Sequence, residues 1–303
     1  MEEKLGLWLA RDYVPKTVVG NYALPLRRWI ARHFEVPSSL PVRYSIGLLA
    51  LLAVRNQLRY LPGYVTNVAA QTDGIIALDD GSVDGSTEFL AGCPAVLELI
   101  RIPPDPPSWD EVGNHRRLVE ASLRHDADWL ISIDADERLE RTFRQRSERV
   151  VRMGNLLGYT AYGVHFRELW DSVDQYRVDG IWGRKTQARL FKARPDHQFD
   201  KRPLHSSKAP LQARVGGWFP IANLNIYHLG MLRPEDRIAR RRRYETLDPG
   251  ARWQPGLGYA YLTDTGGLQL ERPPDGREYF DDITTGRDAS GQICGQTTWS
   301  TTR

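Results

Sequence analysis

At 303 residues the chain can hold one large domain or two small ones, and its 41% hydrophobic and 26% charged content is that of a soluble globular protein. A net charge of +3 gives no reason to expect a nucleic-acid partner, and the longest apolar run, residues 46–54, is nine residues where a membrane-spanning helix needs about twenty. Two distant cysteines, Cys93 and Cys294, offer neither a disulfide framework nor metal-ligand spacing, and the polar start at Glu2, Glu3 and Lys4 has no leader pattern, so a cytoplasmic protein is expected.

In chain order, residues 1–44 form a preface punctuated by Pro15, Pro25, Pro37 and Pro41. Its basic amphipathic stretch at 26–34, with Trp29, Ile30 and Phe34, suits either packing on a neighbouring domain or peripheral contact with an anionic membrane face. From residue 46 strand and helix patterns alternate: strands at 46–54, 74–78, 96–102 and 129–133, helices at 57–70, from 87, and at 108–125. Such alternation predicts an α/β fold, a Rossmann-like, mostly parallel sheet flanked by helices. Ser108 and Glu111 carry the reciprocal capping spacing at the start of the third helix, and Asp84 or Ser86 is placed to cap the second. Residues 45–140 make the first half of this domain. A mixed second half follows over 141–270, with a helix at 141–153, strand candidates at 159–166, 187–192, 211–215 and 224–227, and a basic helix at 234–247. The tail, 271–303, is irregular, rich in Gly, Pro, Asp and Thr.

Two of the strand patterns stop at carboxylates. Gly74-Ile75-Ile76-Ala77-Leu78 runs into Asp79-Asp80-Gly81-Ser82-Val83-Asp84-Gly85-Ser86, and Trp129-Leu130-Ile131-Ser132-Ile133 runs into Asp134-Ala135-Asp136-Glu137. Residues two apart on an extended strand share a face, so Asp134 and Asp136 can present oxygens to one point, the partial shell that a hard divalent cation on a diphosphate needs. Gly81 and Gly85 let the chain turn tightly beside a ligand. An exposed acidic turn accounts for either segment alone but not for both, since ligands of open α/β sheets sit outside the carboxyl ends of the strands.

With these residues in hand, the stretch 46–140 resembles the nucleotide-sugar-binding half of family 2 glycosyltransferases of the GT-A fold. The match lies in Val54-Arg55-Asn56, in the 79–86 segment, in Asp134-Ala135-Asp136-Glu137, and in Asn114 and Arg117 on one helix face. The resemblance implies a nucleotide site made by Arg55, Asn56, Asp79, Asp80, Ser82, Asn114, Arg117 and Asp134, with Asp80 accepting a hydrogen bond from the base. It implies Mn2+ or Mg2+ on the diphosphate, held by Asp134 and Asp136, with His228 as third ligand in Asn225-Ile226-Tyr227-His228-Leu229; a hydrogen-bonded structural histidine is the alternative. The implied activity is inverting transfer of a sugar from a nucleotide diphosphate, UDP being the commonest carrier, to a hydroxyl of a glycan, lipid-linked or small-molecule acceptor. The implied place is the cytoplasm or the inner membrane face. Relatives often have a His-Glu pair where this chain has Leu204-His205-Ser206, so the base does not carry over; His205, Glu168 and Asp179 are the candidates.

Other features stay open in the sequence. Arg240-Arg241-Arg242-Arg243 is either a solvated helix face or a source of one phosphate-binding arginine, and Trp170, Trp182 and Trp218 are either core or sugar-stacking platforms. A sugar nucleotidyltransferase would want a glycine-rich loop after the first strand, where the chain has Val54-Arg55-Asn56-Gln57. A non-catalytic nucleotide-sugar or carbohydrate-binding protein on the same fold is the competing class.

Overall fold

The computed structural model describes residues 46–103, 109–199 and 207–280. The preface 1–44, Ser108, His205, Cys294 and the tail beyond 280 lie outside the described residues.

β1 (Leu48–Val54) is apolar on both faces and accordingly lies inside the sheet. Leu48, Ala50, Leu52 and Val54 join one core, while Leu49 and Leu51 join the other. β2 (Gly74–Asp80) pairs parallel to it on one side and β4 (Trp129–Ser132) on the other, with β3 (Val96–Ile102) beyond β2. Helices cover both faces. α1 (Leu61–Ala69), α2 (Ser86–Ala91) and α4 (Phe143–Leu156) contribute Tyr64, Val68, Leu90, Phe143 and Val151 to the first core, and α3 (Glu111–Ser122) contributes Leu118, Val119 and Ala121 to the second.

The sheet continues unbroken through β5 (Glu137–Leu139), β6 (Ala161–Glu168), β8 (Thr186–Lys192) and β9 (Ile221–His228), giving eight strands in the order β3-β2-β1-β4-β8-β6-β9-β5. β8 runs antiparallel to both β4 and β6, β6 is parallel to β9, and β9 is antiparallel to β5. A parallel half followed by a mixed half, with helices on both faces, is the Rossmann-like α/β arrangement expected from the alternating pattern. α5 (Pro234–Leu247) follows β9, and a short pair of strands, β7 (Tyr176–Arg177) and β10 (Leu270–Glu271), stands outside the main sheet.

Several local expectations change. α1 starts at Leu61 rather than 57: Pro62 occupies its first turn, where a missing N–H costs nothing, and the segment before it is stapled to the next loop by Gln57 N on Ser86 Oγ (3.1 Å) and Leu58 N on Asp84 Oδ2 (3.0 Å). Those bonds use Asp84 and Ser86, so α2 begins after Gly85 in a left-handed conformation without a side-chain cap. Asp110 caps α3, accepting from Gly113 N at 2.9 Å, so the helix starts beyond the expected Ser108. The strand expected at 211–215 is a 3-10 turn, Leu211–Ala213, entered through Pro210 and followed by Gly216 and Gly217 at positive φ; only Val215 bridges, to Trp218. Part of the expected irregular tail is held: Arg277 bonds the buried Glu140 at 2.6 Å, and Tyr227 donates its hydroxyl proton to the Arg277 carbonyl at 2.7 Å.

Candidate active site

The carboxyl ends of β2, β1 and β4 lie side by side, so what they carry shares one crevice. Leu49 and Leu51 of β1, Ile76 and Leu78 of β2 and Leu130 of β4 face α3, and continuing that alternation brings Arg55, Asp80 and Asp134 to the same side. Asp79 alternates to the other side. Its Oδ1 accepts from Ser82 N at 2.7 Å, which shapes the turn rather than facing the crevice. Asn56, at φ 56°, closes the same turn: its N–H donates to Ser82 Oγ at 2.9 Å and its Oδ1 accepts from Val83 N at 2.8 Å. Of the eight expected nucleotide-site residues, then, Asn56, Asp79 and Ser82 build the loop, while Arg55, Asp80, Asn114, Arg117 and Asp134 belong to the α3 side.

Arg55 donates to Asp80 twice, from Nη2 to Oδ2 and from Nε to the backbone oxygen, both at 2.6 Å, and its guanidinium lies 5.6 Å from the Trp109 ring centroid. Asn114 is buried; its Oδ1 accepts from Arg117 Nη1 at 3.0 Å, leaving Nδ2 as an unpaired buried donor. Asp134 is 43% exposed and 3.3 Å from Arg189 Nη2. Burial works to raise its carboxyl, but the charges of Arg189 and Lys208 prevail and hold it below the usual carboxylate range. Arg189 also bonds Glu137 at 2.6 Å, and Lys208 bonds Glu111 at 2.9 Å. Burial pushes the Glu137 carboxyl up to about 8 in spite of Arg189.

Strand alternation does not extend to Asp136. β4 ends at Ser132, and a turn closed by Glu137 N on Asp134 O (3.0 Å) carries the chain into β5. The register of β5 sets Glu137 opposite His228 on β9. Asp136 Oδ2 then lies 3.0 Å from His228 Nε2 and 3.0 Å from Arg240 Nη2, and the two nitrogens are 3.1 Å apart. Gly230 backs this point: a Cβ there would stand 2.4 Å from Asp136 Oδ2, 2.5 Å from Arg240 Nη2 and 2.8 Å from His228 Nε2. The missing side chain leaves a cradle. A carboxylate oxygen and an imidazole nitrogen 3.0 Å apart suit adjacent positions around an octahedral cation, whose ligands at about 2.1 Å would be separated by about 3 Å. The two donors would hold one cation only once His228 gives up its Nε2 proton, the cation taking the place of the hydrogen bond they now share. Asp134 turns instead to Arg189, and among the described residues no group of three His, Cys, Asp or Glu side chains forms a metal cluster.

Behind the cradle, His228 Nδ1 meets Glu168 Oε2, and Lys185 Nζ meets Glu168 Oε1. Burial alone would lower the His228 imidazolium, but Glu168 and Asp136 on either side raise it to about 9. Burial likewise opposes the Glu168 charge, yet His228 and Lys185 bring that carboxyl down to about 2. Glu168 is thus engaged on both oxygens in a buried pair. Asp179 is engaged too, by Arg177 Nε and Nη2 at 2.8 Å each, and that guanidinium lies over Trp170 and Trp182. Neither stands free as an acceptor base. Trp170 and Trp182 are core residues at 0% and 3% exposure, and Trp218 is only partly buried beside Val215. Of the four consecutive arginines, Arg240 enters the cradle, Arg241 pairs with Glu245 on its own helix, and Arg242 and Arg243 are exposed.

Arg189, Lys208, Trp109, Gly230 and Arg240 are site residues that the sequence did not single out individually. Arg240 lies in the four-arginine run, Arg189 in the strand expected at 187–192 and Trp109 within the capping spacing at 108–111, signals of local structure that name no ligand. Lys208 and Gly230 sit in segments without a periodic or motif signal, and tertiary packing brings them here.

No family model matches this chain. Over 222 residues it is 25% identical to the uncharacterized protein Rv3786c of Mycobacterium tuberculosis (strain ATCC 25618 / H37Rv) and to the uncharacterized protein Mb3815c of Mycobacterium bovis, covering 70% of this chain and 53% of theirs. The chain thus spans about half the length of these curated relatives. Among solved structures it is similar to S. aureus TarS 1-349, with 8% identity and a TM-score of 0.38 over 73% of this chain and 74% of that one. It is also similar to the mannosyltransferase PcManGT from Pyrobaculum calidifontis in complex with GDP-Man and Mn2+, with 12% identity and a TM-score of 0.44 over 80% and 78%.

Proposed function

We propose that the protein is a family 2-like glycosyltransferase that moves a sugar from a nucleotide-diphosphate donor, with a UDP-sugar as first choice, to an acceptor hydroxyl with inversion. The observation that carries this reading is the placement of Asp80 and Asp134 on the α3 side, at the ends of the two strands that flank β1, with the Asp136–His228–Gly230 cradle at the turn after Asp134. Arg55, Asp80, Trp109 and Asn114 form the base end, Asp134 with Arg189 and Lys208 the ribose end, and the cradle the diphosphate end.

Asp136 and His228 would hold Mn2+ or Mg2+, which when bound neutralises charge on the departing diphosphate. In the transfer, the acceptor oxygen forms a bond to the anomeric carbon as the bond from that carbon to the β-phosphate oxygen breaks, and the electron pair leaves with the nucleoside diphosphate. Arg240 stands beside the cradle to meet that growing charge with a charge-assisted hydrogen bond. The acceptor proton needs a base that Glu168 and Asp179 do not supply, which leaves His205 as the candidate for that role. Acceptors in this reading are glycan, lipid-linked or small-molecule hydroxyls, met in the cytoplasm or at the inner membrane face.

The test is release of nucleoside diphosphate across a panel of UDP- and GDP-sugars with Mn2+ and a mixed acceptor set. Turnover that is lost in Asp136→Ala supports the reading. Tight donor binding without turnover on any acceptor would assign the chain to non-catalytic binding.

A further inference from the structure

The buried pair formed by Glu168 and His228 has a consequence for the cradle. β6 and β9 run parallel, and their register sets Glu168 opposite His228. Both residues are almost fully buried, Glu168 at 1% and His228 at 3% exposure. The imidazole ring lies 5.1 Å from the Phe166 ring, also on β6, and Lys185 Nζ lies 4.7 Å above that same Phe166. A histidine ring in such a slot has two orientations, related by a half-turn about its Cβ–Cγ bond, that fit almost equal volumes. In one, Nε2 faces Asp136 Oδ2 and the space behind Gly230; in the other a carbon edge does.

We propose that Glu168 is a positioning residue that acts through His228: by accepting the Nδ1 hydrogen bond it fixes the ring so that Nε2 faces the cradle, and Lys185 in turn fixes Glu168. The inference rests on the reading of the cradle as the cation and diphosphate site. It reassigns Glu168 from acceptor base to the outer partner of a metal-binding histidine, an arrangement that raises ligand basicity and sets ring orientation in metal sites generally. A stabilising ion pair would be the plainer account, but a buried ion pair is weak evidence for net stability. The two accounts differ in whether the effect of Glu168 runs through His228.

The experiment is a double-mutant cycle read by Mn2+ affinity, measured calorimetrically once with UDP and once with GDP present. Glu168→Ala is expected to weaken Mn2+ by about 10–100-fold. Glu168→Gln is expected to weaken Mn2+ less than Glu168→Ala does, because its amide oxygen accepts the same N–H although the charge is gone. Glu168→Ala in a His228→Ala background is expected to cost nothing beyond His228→Ala. Wild-type affinity in folded Glu168→Ala, or an additive double variant, overturns the proposal. If Glu168→Ala does not fold, Glu168→Leu with Lys185→Met removes both charges and supports the same comparison.

A second readout needs no metal. The 15N-edited spectrum of His228 is expected to show a protected Nδ1–H in wild type and in Glu168→Gln, lost in Glu168→Ala. An unchanged signal in Glu168→Ala overturns the proposal whatever the metal does. A wild-type protein that takes up no Mn2+ yet shows the Glu168-dependent signal would fail the metal reading while the ring positioning stands.

Discussion

Gly230 is the residue at which a single methyl group distinguishes a cradle from a filled core. Its added Cβ would fall 2.4–2.8 Å from Asp136 Oδ2, Arg240 Nη2 and His228 Nε2, so Gly230→Ala is expected to abolish Mn2+ binding while leaving the thermal midpoint within a few degrees. Calorimetry beside a melting curve reads both. Arg240 has the opposite expectation. Its guanidinium shares Asp136 with any bound cation, so Arg240→Gln should tighten Mn2+ in the absence of nucleotide and weaken nucleoside diphosphate, a sign reversal that simple misfolding would not produce. At the base end, Asp80→Ala should weaken nucleotide by about 1.5–3 kcal/mol, the value of a lost charged hydrogen bond, and equal affinity in a titration would argue against Asp80 as the base contact. At this scale, Asp80, Asp134, Asp136 and His228 were legible as candidates because carboxylates at strand ends and a histidine at a strand end stand out against apolar runs. The role of Glu168 was not legible, since nothing within Phe166-Arg167-Glu168-Leu169-Trp170 shows that His228 lies across the sheet.

Among the elements, α1 does most to place the acidic turn. Asn67 is fully buried and uses its side-chain amide as a backbone would: Oδ1 accepts from Leu139 N at 2.7 Å and Nδ2 donates to Leu139 O at 3.0 Å. One turn on, Gln71 Nε2 donates to Arg141 O at 2.8 Å and Oε1 accepts from Arg144 N at 2.9 Å. Arg138, itself buried, donates to Tyr60 O at 2.9 Å and to Ala135 O at 2.8 Å, tying the same helix to the turn that carries Asp136. Asn67→Ala leaves two buried backbone groups unpaired, each costing about 1–3 kcal/mol, so urea unfolding should show a loss of about 2–6 kcal/mol. Donor affinity should fall with it; an unaffected midpoint would show that β5 holds its place by its β9 pairing alone. The parallel half was readable element by element, since each strand is a short apolar run bounded by turn residues. β5 was not, because Glu137, Arg138 and Leu139 have no strand pattern of their own. They are extended through backbone pairing with β9 and the side chain of Asn67. The expected strand at 211–215 failed for the converse reason: its apolar alternation is real, but Pro210 and two glycines at positive φ turn the chain before it can pair.

At the scale of the whole molecule, the α3 face carries a buried neutral histidine whose protonation opposes folding. His115 donates from Nε2 to the Lys208 carbonyl at 2.8 Å and packs edge-on to Phe191 and Phe199. Burial, helped by the Lys208 charge, brings its value from 6.5 to about 3. Between those values the unfolded chain takes a proton that the folded one refuses, so this contribution to stability is complete above pH 7 and declines as the pH falls. By pH 5 the loss is about 2 kcal/mol. His115→Gln keeps the hydrogen bond without the titration, and its stability should fall less than wild type between pH 7 and 5 by that amount; parallel pH profiles would rule the assignment out.

The nucleotide end on this face and the cradle at the next turn are read as one site, and that union is the central claim. It is tested most directly by a crystal structure with UDP or GDP and Mn2+, using anomalous scattering to locate the metal. The account places Mn2+ between Asp136 Oδ2 and His228 Nε2 in front of Gly230, the diphosphate against Arg240, and the base beside Asp80 and Trp109. A nucleotide bound away from the β1–β2–β4 strand ends, or a metal peak remote from Asp136, would contradict it.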